Sequence, residues 1–307
     1  MGWAFTNSAT AAGEDTVSAN PSWEQQPAEA RPARPIDGIR DNSFFIEEAY
    51  NQEPGVVQHI WTARFGKDDR DEAHSRAWDL SFTQEWPVFS QTHQLSYTLP
   101  YAFADDNAEH TSGLGDVLLN YRYQLLNDEP GSAAVAPRVS LIFPSGDEER
   151  GFGAGVLGYQ FNLPVSKTLT DRLYLNLNAG VTYFPNAELA LSNGRDSDKF
   201  DLFGFNLGGS IIYAVSEVFH LLVEAAWNHD HELEERESAG GRRLLADRLR
   251  IDDVVISPGL RWAINLPGDV QIVPGLAFPI GLTDDSTDYG VFLYFSLEHS
   301  FARSQER

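Results

Sequence analysis

From residue 56 onward, apolar and polar side chains change places at nearly every step along the chain. Leu95, Tyr97, Leu99, Tyr101 and Phe103 share one parity, with Ser96 and Thr98 on the other. Val117, Leu119, Tyr121, Tyr123 and Leu125 likewise stand opposite Asp116, Asn120, Arg122 and Gln124. An extended backbone sends alternate side chains to opposite faces, so each such run predicts a β-strand. The runs fall at 56–65, 78–86, 95–103, 117–125, 135–143, 157–165, 173–183, 203–213, 219–227, 254–264, 270–282 and 289–301, about twelve in all. The last, Tyr289 to Phe301, alternates almost without fault and ends on the aromatic ring.

The connections alternate as well. Short turns are expected at Leu266–Asp269, Ser216-Glu217, Ser166–Arg172, Asn127–Ser132 and Pro87–Thr92. Longer polar loops are expected between them, at 283–288, 229–251, 185–199, 144–154, 104–113 and 66–76. One rim of short turns and one of long loops is the layout of a closed transmembrane β-barrel with an even strand number.

The direction of the apolar face separates two architectures. A soluble sandwich would turn it inward. Roughly twelve strands close a barrel too wide for side chains to fill, since about eight already reach that limit. The opposite parity reads as uniformly small or polar (Ser, Thr, Asn, Gln, Gly), which suits a wet interior. Trp86, Tyr101, Phe103, Tyr123, Tyr183, Trp227 and Trp262 sit toward the ends of the apolar face, where membrane barrels carry aromatic girdles. The pattern therefore predicts an all-β, antiparallel, outer-membrane-type barrel of about twelve strands.

Composition removes other classes. A formal charge of -23 is a poor match to a phosphate backbone, so no nucleic-acid partner is expected. There is no cysteine, hence no disulfide and no thiol chemistry. No run of about 18 apolar residues is present, so no membrane helix is expected. Residues 1–42 are rich in Pro, Ala, Glu and Ser and read as disordered. Met1–Gly13 holds an Ala9-Thr10-Ala11 resembling a cleavage site without the charged start and apolar core of a signal peptide, which suggests a signal remnant. The barrel then occupies 56–301, with a tail at 302–307.

Between these lies a pre-barrel segment, 43–55, whose SFFIEEAYNQ stretch (43–52) has extended character but is odd in the strand count. Two readings stand: an added wall strand, or a plug in the lumen or under the periplasmic mouth. In the second, Glu47 and Glu48 would meet arginines of the lumen.

Three stretches, NSFFIEEAYNQEPGVVQHIW (42–61), GLGDVLLNYRYQL (113–125) and APRVSLIFPSGD (136–147), resemble outer-membrane transporters labelled for the MetA pathway of phenol degradation. The resemblance extends over about residues 43–301. It implies a passive channel for small, aromatic or apolar compounds and carries over no catalytic residue. The tail after Phe301 departs from the usual terminal aromatic through which such chains meet the barrel-assembly machinery. Other expected partners are small-molecule solutes, outer-membrane lipid and lipopolysaccharide.

The inward parity carries charge of both signs: Arg64, Arg122, Arg138 and Arg261 against Asp79, Glu85, Asp116, Glu224 and Glu298. These can stiffen the wall through cross-strand pairs, or set a field that selects permeating solutes. A midplane arginine facing lipid would cost about 2–4 kcal/mol, so they are expected to line the lumen. Outward His59, His93 and His299 raise the alternative of a lipid-acting enzyme, with His59 and His299 neighbours where the barrel closes. No outward serine of the same parity stands beside them, and His220 with Glu224 on one strand does not make an activated nucleophile, so no enzyme is expected. His229-Asp230-His231-Glu232 and the acidic clusters Asp68–Asp71, Asp147–Glu149 and Asp284–Asp288 read as solvated loops; no resident metal or cofactor is expected. A plugged structural or surface-interaction barrel is the remaining alternative.

Overall fold

The computed structural model describes residues 38–39, 43–68, 75–106, 109–188, 199–237 and 244–301. The expected disorder of 1–42 (Gly38 and Ile39 apart), the 302–307 tail and most of the Asp68–Asp71 cluster lie outside the described residues.

Twelve wall strands are present among the described residues, and every pairing is antiparallel. We label them β1 (Val56–Asp68), β2 (Ser75–Val88), β3 (Ser90–Asp106) and β4 (Glu109–Leu114 continuing as Val117–Tyr123). Next come β5 (Ala134–Val135 with Arg138–Phe143), β6 (Gly158–Thr170), β7 (Leu173–Ala187) and β8 (Phe200–Ser216). β9 (Phe219–Glu237), β10 (Leu244–Trp262 with Ile264–Leu266), β11 (Val270–Ala277 with Ile280–Gly281) and β12 (Tyr289–Ser300) complete the wall. Pro137 and Pro279 fall in the breaks of β5 and β11, where a missing N–H costs the ladder least. β12 closes on β1 in continuous register from Val56↔Ser300 to Lys67↔Tyr289, which removes both sheet edges.

The wall is inverted relative to a water-soluble protein. Gln58, Ser210 and His220 are wholly buried, while Leu207 and Ile211 stand more than half exposed. Ten half-exposed aliphatic or aromatic side chains would forfeit roughly 10 kcal/mol in water, about the whole net stability of a domain. Against hydrocarbon the penalty vanishes. The outward apolar band is therefore a membrane face.

Several expected boundaries move. The 229–251 loop is a long hairpin: β9 and β10 are each 19 residues and stay in register from Phe219↔Trp262 to Glu237↔Leu244. Only about 9–11 residues are needed to cross a bilayer. Beyond it both faces are wet, so alternation fades while the backbone ladder continues. The 104–113 loop closes the same way, with Asp106 paired to Glu109. The Ser166–Arg172 turn shrinks to Asp171–Arg172, because β6 runs on to Thr170. Within 144–154, Asp147 caps a single 3-10 turn, Glu148–Arg150, which ends at Gly151 with φ 77°.

Candidate pore and its internal segment

The pre-barrel segment is not a wall strand: residues 43–53 carry no strand pairing. It lies within the barrel at the short-turn end, against inward side chains of nearly every strand. A buried backbone without a ladder must find other partners. Here wall side chains supply them.

The Glu224 carboxylate accepts the backbone N–H groups of Phe44, Phe45 and Ile46 at 3.0–3.2 Å. Asn178 meets the Glu47 backbone twice, accepting from its N–H at 2.8 Å and donating to its carbonyl at 2.9 Å. Ser166 accepts from Ala49 N–H, and Gln124 both accepts from Asn51 N–H and donates to the Ala49 carbonyl. Gln94 accepts from Gln52 N–H, and the Gln52 side chain donates to Gln58. The inward amides of the wall thus act as a substitute strand.

Two ion pairs fasten the middle. Arg138 grips Glu47 with Nη2 to Oε1 at 2.6 Å and Nε to Oε2 at 3.1 Å. Arg261 Nη2 reaches Glu48 Oε1 at 3.2 Å. Arg122 donates to Asn51 Oδ1 at 2.9 Å and to the Tyr50 carbonyl at 2.7 Å.

The apolar end is equally fitted. The Phe44 ring lies 5.6 Å from Phe292 and 5.3 Å from Tyr294, and Phe45 lies 4.7 Å from Phe292. Phe44 also packs on the Tyr174, Ile212, Ala214, Leu222 cluster. Gly275 clears the space: a Cβ there would stand 2.5 Å from the Phe44 ring. The expectation of a uniformly small or polar inner face is therefore corrected. Ile60, Tyr174, Ile212, Leu222, Phe292 and Tyr294 are inward apolar residues, and they are buried because the segment covers them.

The inward charges divide into groups. Arg64 and Asp79, register partners in β1 and β2, pair at 3.3 Å toward the long-loop end. Glu85 accepts from Gln94 at 2.9 Å and lies 3.8 Å from Arg122. Glu298 is buried between its register partners Gln58 and Gln271. Arg261 also donates to the buried His220 at 3.4 Å. The Asp116 carboxylate meets the 144–154 loop, accepting from Gly146 N–H at 3.0 Å and Ala154 N–H at 2.8 Å. It anchors that loop at the break in β4.

Above the segment, a cavity of about 270 Å³ remains against β1–β5. Phe44, Phe45, Phe292 and Tyr294 form one side. Most of the rest is polar: a hydroxyl ladder, with Thr62 bonded to Ser81 at 2.6 Å and Thr83 to Thr98 at 2.9 Å, together with the charged Glu47, Glu85, Arg122 and Arg138. On the outer wall, the His59 and His299 Nε2 atoms lie 3.3 Å apart, with His59 stacked on Trp61 and Phe82. His93 pairs with the Tyr121 hydroxyl at 2.6 Å. These are rim contacts among rings. The polar side chains that hold the segment, Gln94, Gln124, Asn178 and Ser166, were not singled out from the sequence, although their inward parity was a signal for them.

An inverted, closed barrel of twelve strands with an internal segment defines a transmembrane β-barrel of the outer-membrane type. The chain is similar in fold to the COG4313 outer membrane channel from Pseudomonas putida F1, with TM-score 0.59 and 12% identity over 82% of this chain and 98% of that one. The NanC porin aligns at TM-score 0.44 and 11% identity, covering 80% of this chain and 99% of that one, too distant to add to the fold assignment. The translocator domain of autotransporter NalP from Neisseria meningitidis, at TM-score 0.42 and 10% identity over 81% and 90%, is equally distant. No protein-family model and no curated sequence matches this chain.

Proposed function

We propose that the protein is a passive channel of the Gram-negative outer membrane, admitting small solutes with an apolar or aromatic body. The observation that carries the reading is the cavity between the Phe44–Phe45 face of the internal segment and the threonine and serine ladder of β1–β3. Rings on one side, with hydroxyls and the charged Glu47, Glu85, Arg122 and Arg138 around most of the rest, suit a solute with a flat apolar body and one or two polar groups. Two likenesses support it: the resemblance of residues 43–301 to the phenol-pathway transporters, and the fold shared with a protein described as an outer membrane channel. Passage requires the segment to shift, because its contacts span the short-turn end.

The density of those contacts favours a second reading, a plugged barrel whose role is structural or lies in its surface loops. Reconstitution separates the two. Liposomes carrying the protein should swell in phenol-sized aromatic solutes faster than in sugars of similar charge, and planar bilayers should show discrete conductance. Bilayers that stay sealed with both wild type and Glu47→Gln would overturn the channel and leave the plugged barrel.

A further inference from the structure

β1 and β12 are the first and last strands of the wall, and no turn joins them where the barrel closes. Their ladder ends at the short-turn rim with Val56↔Ser300 and a hydrogen bond from Phe301 N–H to the Gly55 carbonyl at 2.8 Å. Just inside that end, His59 of β1 lies opposite Leu297, and His299 of β12 lies opposite Val57. The two histidines are thus diagonal neighbours on the outer face, a spacing of about 7–8 Å that long side chains can bridge. Both are partly exposed.

The rings use that reach to aim nitrogen at nitrogen. Their Nε2 atoms stand 3.3 Å apart, with the ring planes 20° from parallel. The gap lies just past the 2.7–3.2 Å or so of ordinary N–H hydrogen bonds. It matches two imidazole nitrogens on one tetrahedral Zn²⁺, which at about 2.0–2.1 Å from the ion stand about 3.3–3.4 Å from each other. His299 Nδ1 faces the Ser300 carbonyl at 3.3 Å. A bare lone pair there would repel the carbonyl oxygen, so Nδ1 carries the proton and Nε2 presents its lone pair to His59. A backbone carbonyl on the far nitrogen is also how metal-bound imidazoles are oriented. The His59 ring is held in turn by stacking on Trp61 and Phe82.

We infer that His59 and His299 form a two-histidine site for a borderline-soft divalent cation such as Zn²⁺, which staples the first strand of the barrel to the last. On binding, His59 moves its ring proton from Nε2 to Nδ1, so both Nε2 lone pairs face the ion. Imidazole suits Zn²⁺ and Cu²⁺, whereas Mg²⁺ and Ca²⁺ take oxygen ligands. Among the described residues no three His, Cys, Asp or Glu side chains converge on an ion, so water at the rim fills the other positions. A bound ion must leave before this end of β1 and β12 can separate, so it favours the closed seam where fraying would begin. The inference is independent of any channel activity.

The test uses the full chain without a histidine tag, folded in detergent and checked by heat-modifiable gel migration. Hydrogen exchange at the amides of 56–60 and 296–300 is followed while Zn²⁺ or Mg²⁺ is titrated. Zn²⁺ at a hundred times its dissociation constant should slow exchange there by about a hundredfold, leaving β5 to β7 unchanged. Mg²⁺ should do nothing at the seam. His59→Gln and His299→Gln should each abolish the slowing, while His93→Gln, on the same rim, should keep it. Either of the first two variants carries the comparison if the other does not fold. A seam indifferent to Zn²⁺, or slowing that survives both substitutions, would overturn the site and leave the two rings as an ordinary stacked pair.

Discussion

Arg138, on the inner face of β5, holds Glu47 of the pre-barrel segment in a two-pronged ion pair, with contacts of 2.6 and 3.1 Å across 91 residues of sequence. The pair is largely shielded, with 13% and 28% of the two side chains exposed. Removing one member of a buried pair costs about 3–5 kcal/mol, and a partly wetted pair less. Glu47→Gln should therefore loosen the segment by about 1–3 kcal/mol. Conductance bursts should lengthen relative to wild type, and Arg138→Gln should do the same. The double variant should add little to either, because both changes remove one interaction. Full additivity would show that the two residues act separately.

The apolar fit has its own consequence. Gly275 leaves room for the Phe44 ring, and any side chain there must displace it. Gly275→Val should eject Phe44 from its seat on Phe292 and Tyr294 while preserving wall pairing, because β-branched residues suit strands. Overpacking of this kind costs about 1–3 kcal/mol. Hydrogen exchange at the Phe44, Phe45 and Ile46 amides should rise well above wild type, with exchange in β11 and β12 unchanged. Unaltered protection of those three amides would mean that Glu224 holds them without help from the Phe44 ring.

A turn on the short rim supplies a pH dependence. Asp128, between β4 and β5, accepts from Lys167 Nζ at 2.6 Å, Thr168 N–H at 2.9 Å and the Thr168 hydroxyl at 2.5 Å. Burial alone would raise its carboxyl, but the hydrogen bonds from Lys167 and Thr168 outweigh it and hold the group below its ordinary value. A depressed acid stabilises the fold above its unfolded value of about 3.9, and that stabilisation fades as pH falls through the lower folded value. Proteolysis at 127–132 should stay slow at pH 5 and accelerate below about pH 4. Asp128→Asn should cut as readily at pH 5 as wild type does in acid. A turn equally resistant at both pH values would remove Asp128 as its clasp.

Much of the wall was legible because the strand signal is local. Tyr289 to Phe301 can be read one residue at a time, and the same parity puts Arg122, Arg138 and Arg261 on the face turned from lipid. The inner surface was harder. Ile60, Phe292 and Tyr294 share the parity of Ser96 and Asn120, and nothing near them in sequence says that Phe44 and Phe45 will cover them. The long hairpin of β9 and β10 was obscured for another reason: in water on both faces, hydrogen bonds persist without an apolar signature.

The order of polar and apolar residues alone determined that strands form, which face of each meets hydrocarbon, and which rim is short, since all three follow from backbone geometry and the cost of wetting oily surface. Tertiary structure alone decided what occupies the centre. Residues 43–53 are held by Gln94, Gln124, Asn178 and Glu224, which the chain delivers from 42 to 180 residues away. Only closure of the barrel gathers those side chains around one backbone.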